Sequence, residues 1–414
     1  MFGFYSMKKT WLIVALVNLL LAASLGALLR FAFVEEIKWL QFKNFLHAHS
    51  HVAMLGWVYL VLYNLLIHQF LPQEKQTLPA YRWLFWITQI SIVGMLISFP
   101  IQGYGLFSII FSTLHILCSY VFVRWFWKDL EKKRLASHTL VLTGLLFMLF
   151  STLGVWAIAP LTMAGLKSSV FYYLAIQFYL HFQFNGWFIF AILGIFFKKL
   201  EDNGIVFAPK KFRTFYLVLL FSCPLTYALA VAWANPLGLV FLVNSIGVVL
   251  QLLAGILLFK MIREQQDAIL QLWQRTERTL IFVSFYSFLF KLLMQALVVI
   301  PFVAEAAYTI RNYVIGFIHL ILLGTISSFL LAQAADKGIL KMENRLTRLG
   351  IGSFVAGFLL SEGILFLQGT MLWGAKGFLP MYYEILFGAS FLIPFGVSCI
   401  LGGMFQKHQT QLSS

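Results

Sequence analysis

The sequence predicts an all-α, polytopic membrane protein with about twelve transmembrane helices. It is 61% hydrophobic and only 11% charged, whereas a soluble domain carries roughly 25% charged residues. The apolar residues fall into runs of about 20, the length that crosses the hydrocarbon core of a bilayer. The runs do not alternate as barrel strands would, and backbone groups in lipid must be satisfied internally, so the spans are predicted to be helices.

The connections between these runs are short, so residues 1–414 are interpreted as one integral membrane domain. The first run is long and lacks a small-residue cleavage site, which predicts a retained helix rather than a signal peptide. The predicted spans are 9–33, 45–70, 81–100, 104–128, 138–160, 170–197, 212–234, 237–260, 279–300, 311–333, 349–370 and 383–404.

The net charge of +15 follows the predicted topology. With the N-terminus in the cytoplasm, 23 of the 30 Lys and Arg residues fall on the inner side, six on the outer side and Lys291 within a span. This is the positive-inside rule, so we expect both termini to be cytoplasmic in a cell inner membrane. The expected partner is the lipid bilayer and not nucleic acid. The basic, amphipathic linker 260–278 is expected to lie against anionic lipid.

A short motif recurs every four spans. The pattern H-x4-G, followed by Trp or Thr, begins at His51, His181 and His319, in spans 2, 6 and 10. These three spans are all predicted to run from outside to inside, with each His in the outer half of the membrane. The recurrence predicts three four-helix units around a pseudo-threefold axis, with approximate boundaries at 1–137, 138–260 and 261–414.

The first copy of the motif lies in the stretch HAHSHVAMLGW, with three histidines in five residues. His47 and His51 share a helical face, and His49 points elsewhere. All three therefore cannot bind one ion from a regular helix. His51 is the preferred ligand because it belongs to the repeat, and His47 and His49 have the alternative of capping the helix mouth at the water interface.

These motifs resemble those of subunit I of the haem–copper oxidases, a superfamily that includes nitric oxide reductases, and of NnrS-like membrane proteins. The resemblance implies a twelve-helix pseudo-threefold bundle with ligands on helices 2, 6, 7 and 10. It implies that His51, with His49 as its rival, and His319 are the axial ligands of a haem b iron. It also implies that His181 is a copper ligand, so copper or zinc is considered beside the haem.

The chain departs from the family pattern at the active site that the resemblance implies. Phe317 replaces the first His of H-x-H on helix 10, residues 212–260 contain no His, and Asn185 stands where oxygen-reducing members often have Tyr. The usual dinuclear centre could not be built, so the catalytic residues are unknown and an enzymatic activity is left open. The resemblance favours a haem- or metal-binding protein for electron transfer or for handling O2 or NO, with a redox partner subunit left open.

Three further polar residues lie within predicted spans. His115 could be a metal ligand, paired with His181, or a packing residue. Glu362 and Lys291 are candidates for a proton path, because ionisable residues in lipid are costly, or they could pair with each other. Two other classes stay open: a cofactor-free transporter or channel that uses these groups, and a scaffold subunit that has lost its cofactors.

Overall fold

A computed structural model describes residues 7–234 and 236–406. Twelve of its helices are long and apolar enough to cross a membrane, which confirms the predicted all-α polytopic class. Lys407, part of the predicted inner charge, lies outside the described residues. We label the twelve spans α1 (Lys9–Phe31), α2 (Phe42–Phe70), α3 (Pro79–Gln102), α4 (Leu106–Asp129), α5 (Ala136–Met163), α6 (Val170–Asp202), α7 (Pro209–Ala234), α8 (Gly238–Glu264), α9 (Arg275–Leu297), α10 (Arg311–Asp336), α11 (Arg345–Trp373) and α12 (Tyr382–Phe405).

Short elements and caps connect the spans. Additional short helices cover Gln73–Gln76, Gln266–Gln271 and Pro301–Thr309, and α7 is interrupted at Tyr227, three residues after Pro224. The start of α9 has a capping box, in which the Glu277 carboxylate accepts the backbone N–H of Gln274 at 2.7 Å. These caps satisfy donors that helix starts leave free.

Helices α2, α6 and α10 form the centre of the bundle, and they contact one another. The helix before each of them and the helix after it pack against it: α1 and α3 on α2, α5 and α7 on α6, and α9 and α11 on α10. Packing of α12 on α1, with α4 on α5 and α8 on α9, closes the ring. The same arrangement thus recurs every four helices, whereas the exact repeat boundaries stay a prediction.

The burial of side chains changes along each central helix. We call the end of the bundle where α1 begins the inner end and the opposite end the outer end, following the predicted topology. The outer segments Phe42–His51, Val170–His181 and Arg311–His319 each contain a single buried residue, which is small: Ala48, Ala175 or Gly316. In the inner segment Leu60–Phe70 every residue is buried. The inner half therefore holds the core.

Candidate functional site

A π-helical segment follows the histidine of all three repeats. The segments are Val52–Tyr59, Phe182–Phe188 and Leu320–Ser327, and each begins directly after the His of H-x4-G. π-Helical turns are rare and are frequent at functional sites. The sequence motif therefore marks a local change in helix geometry, which the sequence analysis did not foresee.

Neighbouring helices supply partners to carbonyl groups in two of these segments. Asn18 of α1 donates its Nδ2 to the carbonyl of Gly56 at 3.0 Å, and Ser284 of α9 donates its hydroxyl to the carbonyl of Thr325 at 2.6 Å. A side chain inserted at such a point explains a break in the regular helical ladder. The motif glycine allows this approach, because a Cβ at Gly56 would lie 2.9 Å from Asn18 Cβ.

The clearest grouping of candidate ligands lies where α1, α2, α10 and α11 meet. His49 is within electrostatic range of His319 and of Arg30. The Nδ1 atom of His319 lies 3.5 Å from a carboxylate oxygen of Glu362. A Cβ at Gly26 would lie 2.9 Å from His49 Cε1, so only glycine at this position of α1 leaves room for the ring. The site thus combines two imidazoles, a carboxylate and a guanidinium.

One ring nitrogen of each histidine faces an acceptor, which leaves the other ring nitrogen available. His49 Nδ1 lies 2.8 Å from the carbonyl oxygen of Ala22. A carbonyl oxygen only accepts, so Nδ1 carries the proton and Nε2 carries the lone pair. At 3.5 Å the Glu362 carboxylate forms no hydrogen bond with His319 Nδ1, but its charge attracts a proton to that nitrogen and favours the same tautomer. Metal-binding histidines are held in this way, by an acceptor on the other ring nitrogen.

Accessible space lies beside both rings. The side chain of His319 keeps 23% of its accessible surface although α10 is a central helix, and His49 is half-buried. The adjoining residues Leu320 and Ala48 are 4% and 0% exposed. An imidazole in lipid with neither a partner nor a ligand on one nitrogen is costly. Each ring therefore offers one lone-pair nitrogen beside accessible surface.

A second group of polar residues lies at the outer mouth of this site. Arg30 ends α1, and it is within electrostatic range of Arg311, Glu362 and Tyr382. Asn312 donates its Nδ2 to the Tyr382 hydroxyl at 2.7 Å. Two guanidinium groups at one mouth suit a ligand that carries carboxylates, because the guanidinium fork matches carboxylate geometry. The sequence indicates Arg30 and Arg311 only as basic residues on the outer side of the membrane.

The structure places His51 on a different side of α2 from His49. Its ring contacts Phe99 of α3, with ring centroids 4.4 Å apart, and its Nδ1 lies 2.8 Å from the carbonyl of His47. It is also within electrostatic range of His115. The repeat predicts His51 as the ligand on α2, whereas His49 is the ring in electrostatic range of His319, and the choice between the two stays a prediction.

His181 and His115 lie in separate surroundings. His181 Nε2 lies 2.8 Å from the carbonyl of Cys223, and Asn185 Nδ2 lies 3.4 Å from its Nδ1, so both ring nitrogens have partners. His115 packs against Tyr59, with ring centroids 4.8 Å apart. Within residues 7–234 and 236–406, no three or more His, Cys, Asp or Glu side chains are placed to hold a metal ion. The alternative in which His115 and His181 are paired metal ligands stays a prediction.

Lys291 and Glu362 also lie in different surroundings. Glu362 faces His319, as described above, whereas Lys291 is 1% exposed and within electrostatic range of Cys223 and His181. Its ammonium group lies 5.9 Å from the centroid of the Phe288 ring. The alternative in which the two residues neutralise each other is therefore not what the structure shows.

Comparison of the chain with family models and with curated proteins finds no match to either. The resemblance to the haem–copper oxidases therefore stays a prediction that rests on the motifs. The class that fold and composition define is a twelve-span helical membrane protein.

Proposed function

We propose that the chain is a membrane electron-transfer protein that binds one haem b, with His49 and His319 as the axial ligands. The single observation that carries this proposal is that the two imidazole rings lie near each other and leave the same ring nitrogen available. Each lies within electrostatic range of the other, and each Nδ1 faces an acceptor, which leaves Nε2 as a lone-pair donor. Imidazole is a common axial ligand of haem iron.

The surrounding residues support the proposal. Arg30 and Arg311 at the mouth would bind the haem carboxylates, and Glu362 would orient the His319 ring. Haem supplies one-electron redox chemistry when it is bound. An iron held by both imidazoles would have no position open to a gas, so such a site would favour electron transfer over the handling of O2 or NO.

Copper at His181 has less support. Both nitrogens of this ring have hydrogen-bond partners, and Phe317 occupies the position at which the resemblance implies a ligand of a second haem. The proposal therefore contains one redox group and no dinuclear centre.

The test is the haem content and optical spectrum of the purified protein, expressed with ample haem. We expect about one haem b per chain and sharp reduced bands. His319→Ala and His49→Ala should lose the haem, and His51→Ala is the matched control that should keep it. Size-exclusion profiles show whether each variant is folded.

Two results would contradict the proposal. The first is wild-type protein without haem, which would favour the transporter or the scaffold. The second is loss of haem in His51→Ala with retention in His49→Ala, which would restore the ligand that the repeat predicted.

A further inference from the structure

An apolar groove of about 430 Å³ lies between α6, α8, α9 and the short helix Gln266–Gln271. Its volume is within the roughly 300–1,000 Å³ of pockets that hold small molecules. The groove extends along α9 from Arg278 to Phe288, a rise of about 15 Å. Phe259 and Phe282 border it and are each 44% exposed, so it opens to the lipid-facing surface.

Four polar residues of the lining, Arg263, Gln266, Trp273 and Arg278, gather at the inner end of the groove. Ser284, Tyr286 and Thr325 line it further along α9 and α10. The Trp273 side chain is 3% exposed, and its buried Nε1 has no hydrogen-bond partner. A buried N–H without a partner is costly, so it indicates a ligand atom or water at that place.

The charge at this end is positive. Arg278 uses one of its five N–H donors on the carbonyl of Trp273, at 2.8 Å, which fixes the guanidinium beside the indole. The acidic neighbour Glu264 is bound by Lys211, with both oxygens 2.7 Å from the ammonium nitrogen. Glu277 is engaged in the capping box of α9. Within residues 7–234 and 236–406, Arg263 and Arg278 therefore line the groove without a salt-bridge partner.

We propose that this groove binds an anionic phospholipid from the leaflet that the basic loops face. Its phosphate contacts Arg263 and Arg278 and accepts the Trp273 indole N–H, and an acyl chain follows the apolar wall past Phe285 to Phe288. Basic pockets between transmembrane helices on the cytoplasmic side recognise anionic head groups. The inference is independent of the proposed haem.

The distribution of polarity distinguishes a phospholipid from a membrane quinol. A quinol ring that exchanges electrons would need hydrogen-bond partners at the deep end, towards α10. The deep end is formed by side chains such as Ile189, Phe288 and Phe329, and the Ser284 hydroxyl there already donates to the carbonyl of Thr325. The two arginines and the Trp273 indole lie instead at the inner end, which the predicted topology places at the membrane surface, where a phosphate lies.

The test is lipid binding by the full-length protein in nanodiscs of phosphatidylcholine with a minor fraction of phosphatidylglycerol or cardiolipin. Native mass spectrometry counts the bound lipids. We expect Arg263→Gln and Arg278→Gln each to weaken anionic lipid binding about five-fold, because one basic residue near the membrane surface contributes about 1 kcal/mol. Trp273→Phe keeps the ring, removes the N–H and should weaken binding as well.

Arg348→Gln is the matched control, since Arg348 is exposed at the inner end of α11, away from the groove. It should bind as the wild type does, and inorganic phosphate should not compete, because the acyl chain contributes to binding. Ile281→Trp, which fills the groove and leaves both arginines, should reduce occupancy. Three results would overturn the proposal. They are equal lipid retention in the Arg263, Arg278 and Arg348 variants, displacement of the lipid by phosphate alone, and a quinone as the bound species.

Discussion

The outer and inner halves of the three central helices differ in packing although they belong to the same helices. Each outer segment buries one small residue, whereas Leu60–Phe70 is buried throughout. The π-helical segments and the inner half hold large buried side chains: Trp57 and Trp187 lie in the π-helical segments and Phe190 in the inner half of α6, and each is at most 1% exposed. The outer half carries the repeated histidines. The large buried side chains and the repeated histidines are thus separated along the helix axis, with each π-helical segment on the core side of its histidine.

The difference between the outer and inner halves predicts its largest effect on stability at Trp57, which lies on the core side of His51. Its side chain is 1% exposed and donates its indole N–H to Ser327 of α10 at 2.8 Å. Trp57→Ala should lower the free energy of unfolding by about 3–5 kcal/mol, because a large cavity forms. Unfolding of the purified protein in detergent measures this change.

Trp39→Ala is the control for that variant, since Trp39 is 65% exposed near the outer end. It should change stability by less than about 0.5 kcal/mol. Equal losses in the two variants would show that the inner half is not the core of the bundle.

An intermediate effect is expected at the glycine of the third motif. A Cβ at Gly324 would lie 2.5 Å from Phe358 Cζ and 2.6 Å from Ser287 Oγ. Gly324→Ala should therefore cost about 1–3 kcal/mol through overpacking. Gly352→Ala in α11 is the matched control, because nothing lies within 4 Å of its Cβ position. Equal unfolding temperatures of the two variants would contradict close helix packing at the motif.

The smallest effect is expected at Lys291, which is 1% exposed. Among residues 7–234 and 236–406 it forms no salt bridge, and removing an unpaired buried charge relieves its desolvation. Lys291→Met should leave stability unchanged or raise it by about 1 kcal/mol. Lys341→Met, at an exposed lysine, is the control. A destabilisation of more than about 2 kcal/mol would mean that Lys291 is a required structural group.

The twelve helices could be predicted from the sequence, whereas the neighbours of the candidate site residues could not. Composition and run length are sufficient for twelve spans, because a lipid environment allows little else than apolar helices. The choice between His49 and His51 could not be made in this way, because it depends on which neighbours α2 faces. The α-helical spacing separates the two rings by about 200°, but only the packing of α1 and α3 shows that Ala22 meets His49 and Phe99 meets His51.

The neighbours of Glu362 and Lys291 could not be predicted from the sequence either. Each residue is the one ionisable group at mid-span of its helix, so pairing them was the simplest expectation. The order of helices around the ring places α11 beside His319 and directs Lys291 of α9 towards Cys223 of α7. No local pattern encodes that order.

The proposed haem between His49 and His319 in the outer half can be tested by the reduction potentials of ligand variants. Methionine in place of one axial histidine raises the potential of a haem. We predict that His49→Met keeps the haem with a raised potential, while His51→Met retains the wild-type value. A raised potential in His51→Met with an unchanged value in His49→Met, or wild-type protein that contains no haem, would contradict the account.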